Sequence, residues 1–175
     1  MKTIKDKQLL VGADFAGYPL KETVVAHLKK KGWTITDVGV TADSDPDDTD
    51  LMFHRIGLRV GSMISEGEFE RALVFCGTGM GMSMVANKHK GIRAACCEST
   101  YAVESCRRIN NANVLCMGAF ILGPQLACDM AERFVMTPFA EGFEAERIAY
   151  IKERDADMAK IEEANFKQIS KNFNF

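Results

Sequence analysis

The stretch LVFCGTGMGMSMVANK, residues 73–88, sets an apolar run, a cysteine, three glycines at alternate positions and a helix-compatible segment end to end. RALVFCG reads as a buried strand and the segment after the glycines as a helix. A strand passing through a glycine-rich turn into a helix is half of a βα unit, so the fold depends on whether the rest of the chain repeats that pattern.

It does. QLLVGAD, residues 8–14, reads as a first strand, and Leu20, Val24, Val25 and Leu28 then recur at helical spacing until Gly32. WTITDVG is a second strand, followed by the acidic loop VTADSDPDDTD. Met52, Ile56, Val60, Met63 and Ile64 mark a second helix. IRAACCE and NVLCMGA supply strands four and five, with a helix through Arg107 between them and one striped by Leu126, Met130 and Phe134 after them. The alternation predicts an α/β fold: a doubly wound, five-stranded parallel sheet in the order 2-1-3-4-5, with helices on both faces. The chain reverses direction between strands one and three, and a crevice opens there at the carboxyl ends of the strands. GADFAGYP and CGTGMGMS are the loops at that point, so Asp14, Phe15 and Cys76 are expected around one crevice.

Residues 1–140 carry this pattern. From Glu141 onward the chain is charged and helical in character, with a broken apolar stripe of Ile148, Ile151, Met158, Ile161 and Ile169. Residues 141–175 are therefore read as a C-terminal helical extension that packs on a partner subunit, with the last ten residues open to being a solvated tail.

The 175 residues suit a single core, and 47% apolar with 26% charged is ordinary globular composition. A net charge of −2 leaves no footprint for nucleic acid or an anionic membrane. No run approaches the ~20 apolar residues of a membrane span, and the basic start MKTIKDKQLLVG is too short in its apolar part for a signal peptide. A cytoplasmic protein is expected. Six cysteines without a C-x-x-C pair, and only three histidines, lack zinc spacing. Free thiols packed as small hydrophobes are the ordinary state of such cysteines in a reducing compartment.

Cys76 has a second possibility. Backbone N–H groups at the start of a helix carry about half a unit of positive charge, and a glycine-rich entry lets an anion approach them. Gly77, Gly79 and Gly81 are spaced G-x-G-x-G, which is neither a dinucleotide fingerprint nor a Walker loop. Such amides would stabilise an enediolate and lower the pKa of a nearby thiol. A thiolate there could take a proton from a carbon next to a carbonyl, with Thr78 and Ser83 bonding substrate oxygens. Packing and catalysis both remain open for Cys76 on these grounds.

GADFAGYPLKETVVAHLKKKGWTITDVG, CGTGMGMSMVANKHKGIRAA and NNANVLCMGAFILG occur in this order and resemble ribose-5-phosphate isomerase B and the two galactose-6-phosphate isomerase subunits. The likeness runs from about Leu9 to Phe139. It implies an aldose–ketose isomerase of a phosphorylated sugar, working through a cis-enediol with no metal or organic cofactor. It further implies Cys76 as the base, Gly77, Thr78, Gly79 and Gly81 around the enediolate oxygens, and Asp14 on sugar hydroxyls. Asn110 would reach the substrate from a neighbouring subunit in a dimer or tetramer.

The chain departs from the family pattern at ring opening and phosphate binding. Phe15 stands where members have histidine, Ile109 where they have the first residue of H-N-N, Phe120 for the arginine of G-A-R, and Phe53 for a tyrosine. Phe143 and Glu144 replace an Arg-His pair, leaving Arg147 as the matching arginine. Three readings follow. The chain is the cysteine-bearing half of a heteromeric galactose-6-phosphate isomerase, whose histidine-bearing partner completes the site. Alternatively it acts on a tetrulose 4-phosphate, which cannot close a five-membered ring. As a third, it binds sugar phosphate without catalysis. The first is ranked narrowly ahead of the second.

Overall fold

The computed structural model describes residues 1–172, with side chains to residue 165. Five parallel strands form one sheet: β1 (Gln8–Ala13), β2 (Thr34–Asp37), β3 (Ala72–Cys76), β4 (Ala94–Cys96) and β5 (Val114–Gly118). Between and after them run α1 (Tyr18–Lys30), α2 (Phe53–Ser65), α3 (Met80–Ala86), α4 (Thr100–Arg108), α5 (Pro124–Met136) and α6 (Ala145–Asn172).

The strand order is 2-1-3-5-4, which corrects the expected 2-1-3-4-5. β5 is five residues long and buried throughout, whereas β4 has three residues and none is fully buried. The short, half-wet strand takes the edge and the long, dry one takes the interior, because an interior strand is covered on both faces. The helix positions agree with this order. A right-handed crossover changes face when the direction of travel across the sheet reverses. Travel is the same from β2 to β3 and from β3 to β4, so α2 and α3 share one face. It reverses from β4 to β5, and α4 joins α1 and α5 on the other.

Alternation along each strand feeds both layers. Leu9, Val11, Leu73, Phe75, Leu115 and Met117 pack under α1, α4 and α5, with Met130 and Phe134. Leu10, Val74, Val114 and Cys116 pack under α2 and α3, with Ile56, Val60 and Met82. Leu126, expected in the α5 stripe, is exposed, and Ala127 and Ala131 take the inward positions beside Met130 and Phe134. All six cysteines are free; Cys97, Cys106, Cys116 and Cys128 are buried, Cys76 is half-buried and Cys96 is exposed.

Arg107, near the end of α4, is buried beside Arg71. Arg71 donates to the carbonyls of Phe134 at 2.7 Å and Val135 at 3.1 Å, and Arg107 Nε donates to Thr137 at 3.3 Å. Two guanidiniums thus satisfy the open carbonyls at the end of α5, where a helix favours cations. Burial, then the neighbouring Arg71, pushes the Arg107 pKa down to about 10.

α6 docks at the amino end of β4 through buried Ile151, an ion pair between Arg93 and Asp155, and Gly91 N donating to Glu162 at 2.7 Å. Of the remaining stripe, Ile148 is half-buried, Met158 and Ile161 are exposed, and Ile169 and the last ten residues lie outside the described side chains. Among the described residues, no helix is long and apolar enough to cross a membrane.

Candidate active site

β1 and β3 are neighbours, and their carboxyl ends bring Asp14 and Cys76 to the point where the strand order reverses. The β1–α1 turn is tied to this place. Asp14 N donates to Phe75 O at 3.3 Å, and Gly17 N donates to Asp14 Oδ1 at 2.8 Å. A Cβ on Gly17 would lie 2.2 Å from the Phe75 backbone, so only glycine lets α1 start this close to β3. Phe15 sits half-buried in the same turn.

The Cys76 loop is held as closely. Gly79 has φ +78, in the left-handed region, and packs on Cys96 Sγ and the Met117 backbone. Gly118, the strand partner of Cys76, leaves no room for a side chain: a Cβ there would meet the Thr78 backbone at 2.8 Å. Ala119 N donates to Cys76 O and Phe120 N to Gly77 O, each at 2.9 Å. The Phe120 ring lies against Gly77 and the Phe53 ring against Gly81. Ser83 Oγ donates to Met80 O at 2.7 Å, and exposed Thr78 Oγ1 accepts from Met80 N at 3.4 Å.

The electrostatics correct one expectation. The N–H groups of Thr78 and Gly79 do lower the Cys76 pKa, but burial and then the Asp14 carboxylate outweigh them, and the thiol is pushed up from its ordinary 9.0. α3 is seven residues, about two turns, so its N-terminal charge is small beside a facing carboxylate.

Asp14, Phe15, Cys76, Gly77, Thr78, Gly79, Gly81 and Ser83 are thus gathered at the carboxyl ends of β1 and β3. Asn110 and Arg147 are not. Asn110 follows α4 at the amino end of the sheet, where its carbonyl accepts from Arg93 at 3.3 Å. Arg147 begins α6 beside the Phe143 ring, which Arg108 covers at 4.0 Å. His54 is exposed and edge-on to Phe53, and His27 pairs with Glu132. Among the described residues, no three His, Cys, Asp or Glu side chains converge as metal ligands would.

Two supporting residues carry no signal in the sequence. Lys21 has 0% exposure, and its ammonium donates to the Asp37 carboxylate and the Val40 carbonyl. Asp37 in turn accepts from Gly39 N at 2.9 Å, and Val40 N donates to Ala13 O at 2.8 Å. This chain of bonds clamps the loop after β2 onto the strand end that carries Asp14. In a lysine-rich helix, Lys21 looks like any solvated lysine. Gly118 likewise looks like a strand end.

A family model described as ribose/galactose isomerase matches residues 9–151. The chain belongs to the ribose/galactose isomerase family. Within it, the chain is 45% identical to the 4-deoxy-4-sulfo-D-erythrose isomerase of Clostridium sp. (strain MSTE9), over 92% of this chain and 99% of that one. It is 35% identical to the D-erythrulose-4-phosphate isomerase of Pectobacterium atrosepticum, over 84% and 96%. The ribose-5-phosphate isomerase B of Clostridium thermocellum superposes with a TM-score of 0.78 at 32% identity, covering 90% of this chain and 99% of that one. As a member of the ribose/galactose isomerase family, the protein is a sugar-phosphate isomerase.

Proposed function

We propose that the protein interconverts the aldose and ketose forms of a four-carbon sugar bearing an anionic group, phosphate or sulfonate, on C4. The observation that carries this reading is the surround of Cys76. Phe120 lies on Gly77, Phe53 on Gly81, and Phe15 follows Asp14, so three apolar rings surround the Cys76 loop, and none supplies the acid or base that opening a cyclic sugar calls for. A sugar whose O4 is esterified or replaced has no hydroxyl to close a five-membered ring and arrives already open. The relatives at 45% and 35% identity bear names of four-carbon sugar isomerases, which supports the same substrate class. The hexose-phosphate reading, with this chain as half of a heteromer, gains no support from these relatives.

In the forward direction the Cys76 thiolate takes the proton from C2 of the aldose. The C–H electron pair becomes the C1=C2 bond, and charge collects on O1. N–H groups of the loop from Gly77 to Gly81 hold that oxygen, and Asp14 accepts from sugar hydroxyls. O2 gives its proton to O1, and the thiol returns a proton to C1, leaving the ketose. Substrate hydroxyls that engage Asp14 draw its charge off the thiol, while the lowering contacts from Thr78 and Gly79 remain. A positioned base is worth about 10²–10⁴ in rate and an oxyanion donor about 10²–10³.

Asn110 and Arg147, at the other end of the sheet, enter this site only through a second subunit. The reading therefore includes a dimer or tetramer, with the exposed stripe of α6 as the face available to a neighbour.

The test is turnover of D-erythrose 4-phosphate and 4-deoxy-4-sulfo-D-erythrose by the purified chain in heavy water, against ribose 5-phosphate and galactose 6-phosphate. Deuterium on carbon with a four-carbon sugar is expected. Turnover confined to the pentose or hexose phosphate would overturn the reading.

A further inference from the structure

Two aromatic rings stand in solvent at the two ends of the glycine loop. Phe120 is 75% exposed and Phe53 is 40% exposed. A Cβ on Gly77 would meet the Phe120 ring at 2.8 Å, and one on Gly81 would meet the Phe53 ring at 2.7 Å. Each ring therefore rests on a glycine, in contact with the backbone that faces the reacting carbons. Phe120 at such exposure contributes little to the core, so burial does not explain its place.

The backbone that carries each ring is also fixed. The Phe120 amide donates to Gly77 O, and its neighbour Ala119 donates to Cys76 O, so the base of the Phe120 side chain moves only with the Cys76 loop. Phe53 is the first residue of α2, whose buried face is locked by Ile56 and Val60 against β1 and β3. On the outer side of Phe120 lies a small apolar recess of about 310 Å³ lined by Ala16, Pro19, Leu20, Ala119 and Leu122.

We propose that Phe53 and Phe120 are specificity-determining walls that admit an extended, open-chain sugar to Cys76 and turn away a ring-closed one. This rests on the four-carbon reading and adds the device that enforces it. An extended chain can lie flat along the loop between two fixed rings. A furanose carries substituents on both faces of its ring and meets the aromatic edges on either side. Neither wall offers a hydrogen bond to a ring oxygen.

The probes are erythritol 4-phosphate, which is permanently open, and methyl β-D-ribofuranoside 5-phosphate, which is permanently closed. The full chain is expected to bind the open probe at least tenfold more tightly. Phe120→Ala and Phe53→Ala should narrow that ratio tenfold or more, chiefly by improving affinity for the closed probe, while Phe120→Leu keeps most of the discrimination. Both rings are exposed, so thermal unfolding should be little changed. Equal binding of the two probes by the wild type, failure to bind the open probe, or an unchanged ratio in both alanine variants would each overturn the inference. Wild-type turnover of a four-carbon substrate, measured alongside, separates the two ideas. Turnover with an unchanged ratio removes the walls alone. No turnover removes the four-carbon reading and this inference with it.

Discussion

Asp14, at the end of β1, faces Cys76, at the end of β3, and adds to burial in holding the thiol protonated. A base that begins above its ordinary pKa is scarce as thiolate at neutral pH but strong once formed. This relationship makes the activity sensitive to pH and to Asp14 in a defined direction.

The pH profile follows from that sign. Because the thiolate is the active form and the pKa is raised, kcat/KM should climb close to tenfold per pH unit through neutrality and level off only above pH 9. A plateau below pH 8 would mean that another group limits the rate.

Removing the carboxylate charge should ease thiol ionisation. In Asp14→Asn, alkylation of the Cys76 peptide by iodoacetamide, followed by mass spectrometry, should show its midpoint at lower pH than in the wild type. Turnover should fall even so, because the sugar hydroxyls lose their acceptor. A midpoint that stays put or rises would show that Asp14 does not govern the thiol.

Cys76→Ala should lower turnover and carbon–deuterium exchange by about 10³ or more. The thiol is half-buried at a strand end, so the melting temperature should change by only a few degrees. Retained exchange would remove the cysteine from the chemistry.

Gly118→Ala tests the floor of the loop. The new methyl would meet the Thr78 backbone at 2.8 Å, and backbone cannot rotate away as a side chain can. A displacement on the order of 1 Å is expected to cost about 10² in kcat. An unchanged kcat would mean that the loop moves without consequence.

Lys21→Met should cost about 3 kcal/mol, since it strands the partly buried Asp37 and the Val40 carbonyl. At this chain length that corresponds to roughly 6–12 °C in melting temperature. Thermal denaturation at neutral pH measures it, and a change under 2 °C would show that the clamp is dispensable.

Much of the site was legible because its signals are local. The three alternating glycines after an apolar run mark a backbone that must turn tightly and be approached closely, and they place Cys76 beside it. Asp14 follows a buried strand in the same way. Lys21 and Gly118 escaped notice because their roles come from partners 16–19 and 40 positions away: Asp37 and Val40 for the lysine, Thr78 for the glycine. The depressed thiol pKa expected from helix geometry failed for a related reason. The amides that precede α3 are outweighed by burial of the thiol and then by the carboxylate that β1 brings opposite them.

By itself, the sequence determined the α/β alternation, the element boundaries to within a few residues, the switch point and the family, because hydrophobic periodicity and glycine spacing are properties of contiguous residues. Only the tertiary structure decided that β5 lies inside β4, that Arg107 is buried, that Phe53 and Phe120 stand on the two ends of the glycine loop, and that Asn110 and Arg147 sit at the far end of the sheet from Cys76. Strand order and ring placement depend on which surfaces compete for the same core, and that competition is settled between segments far apart in the chain.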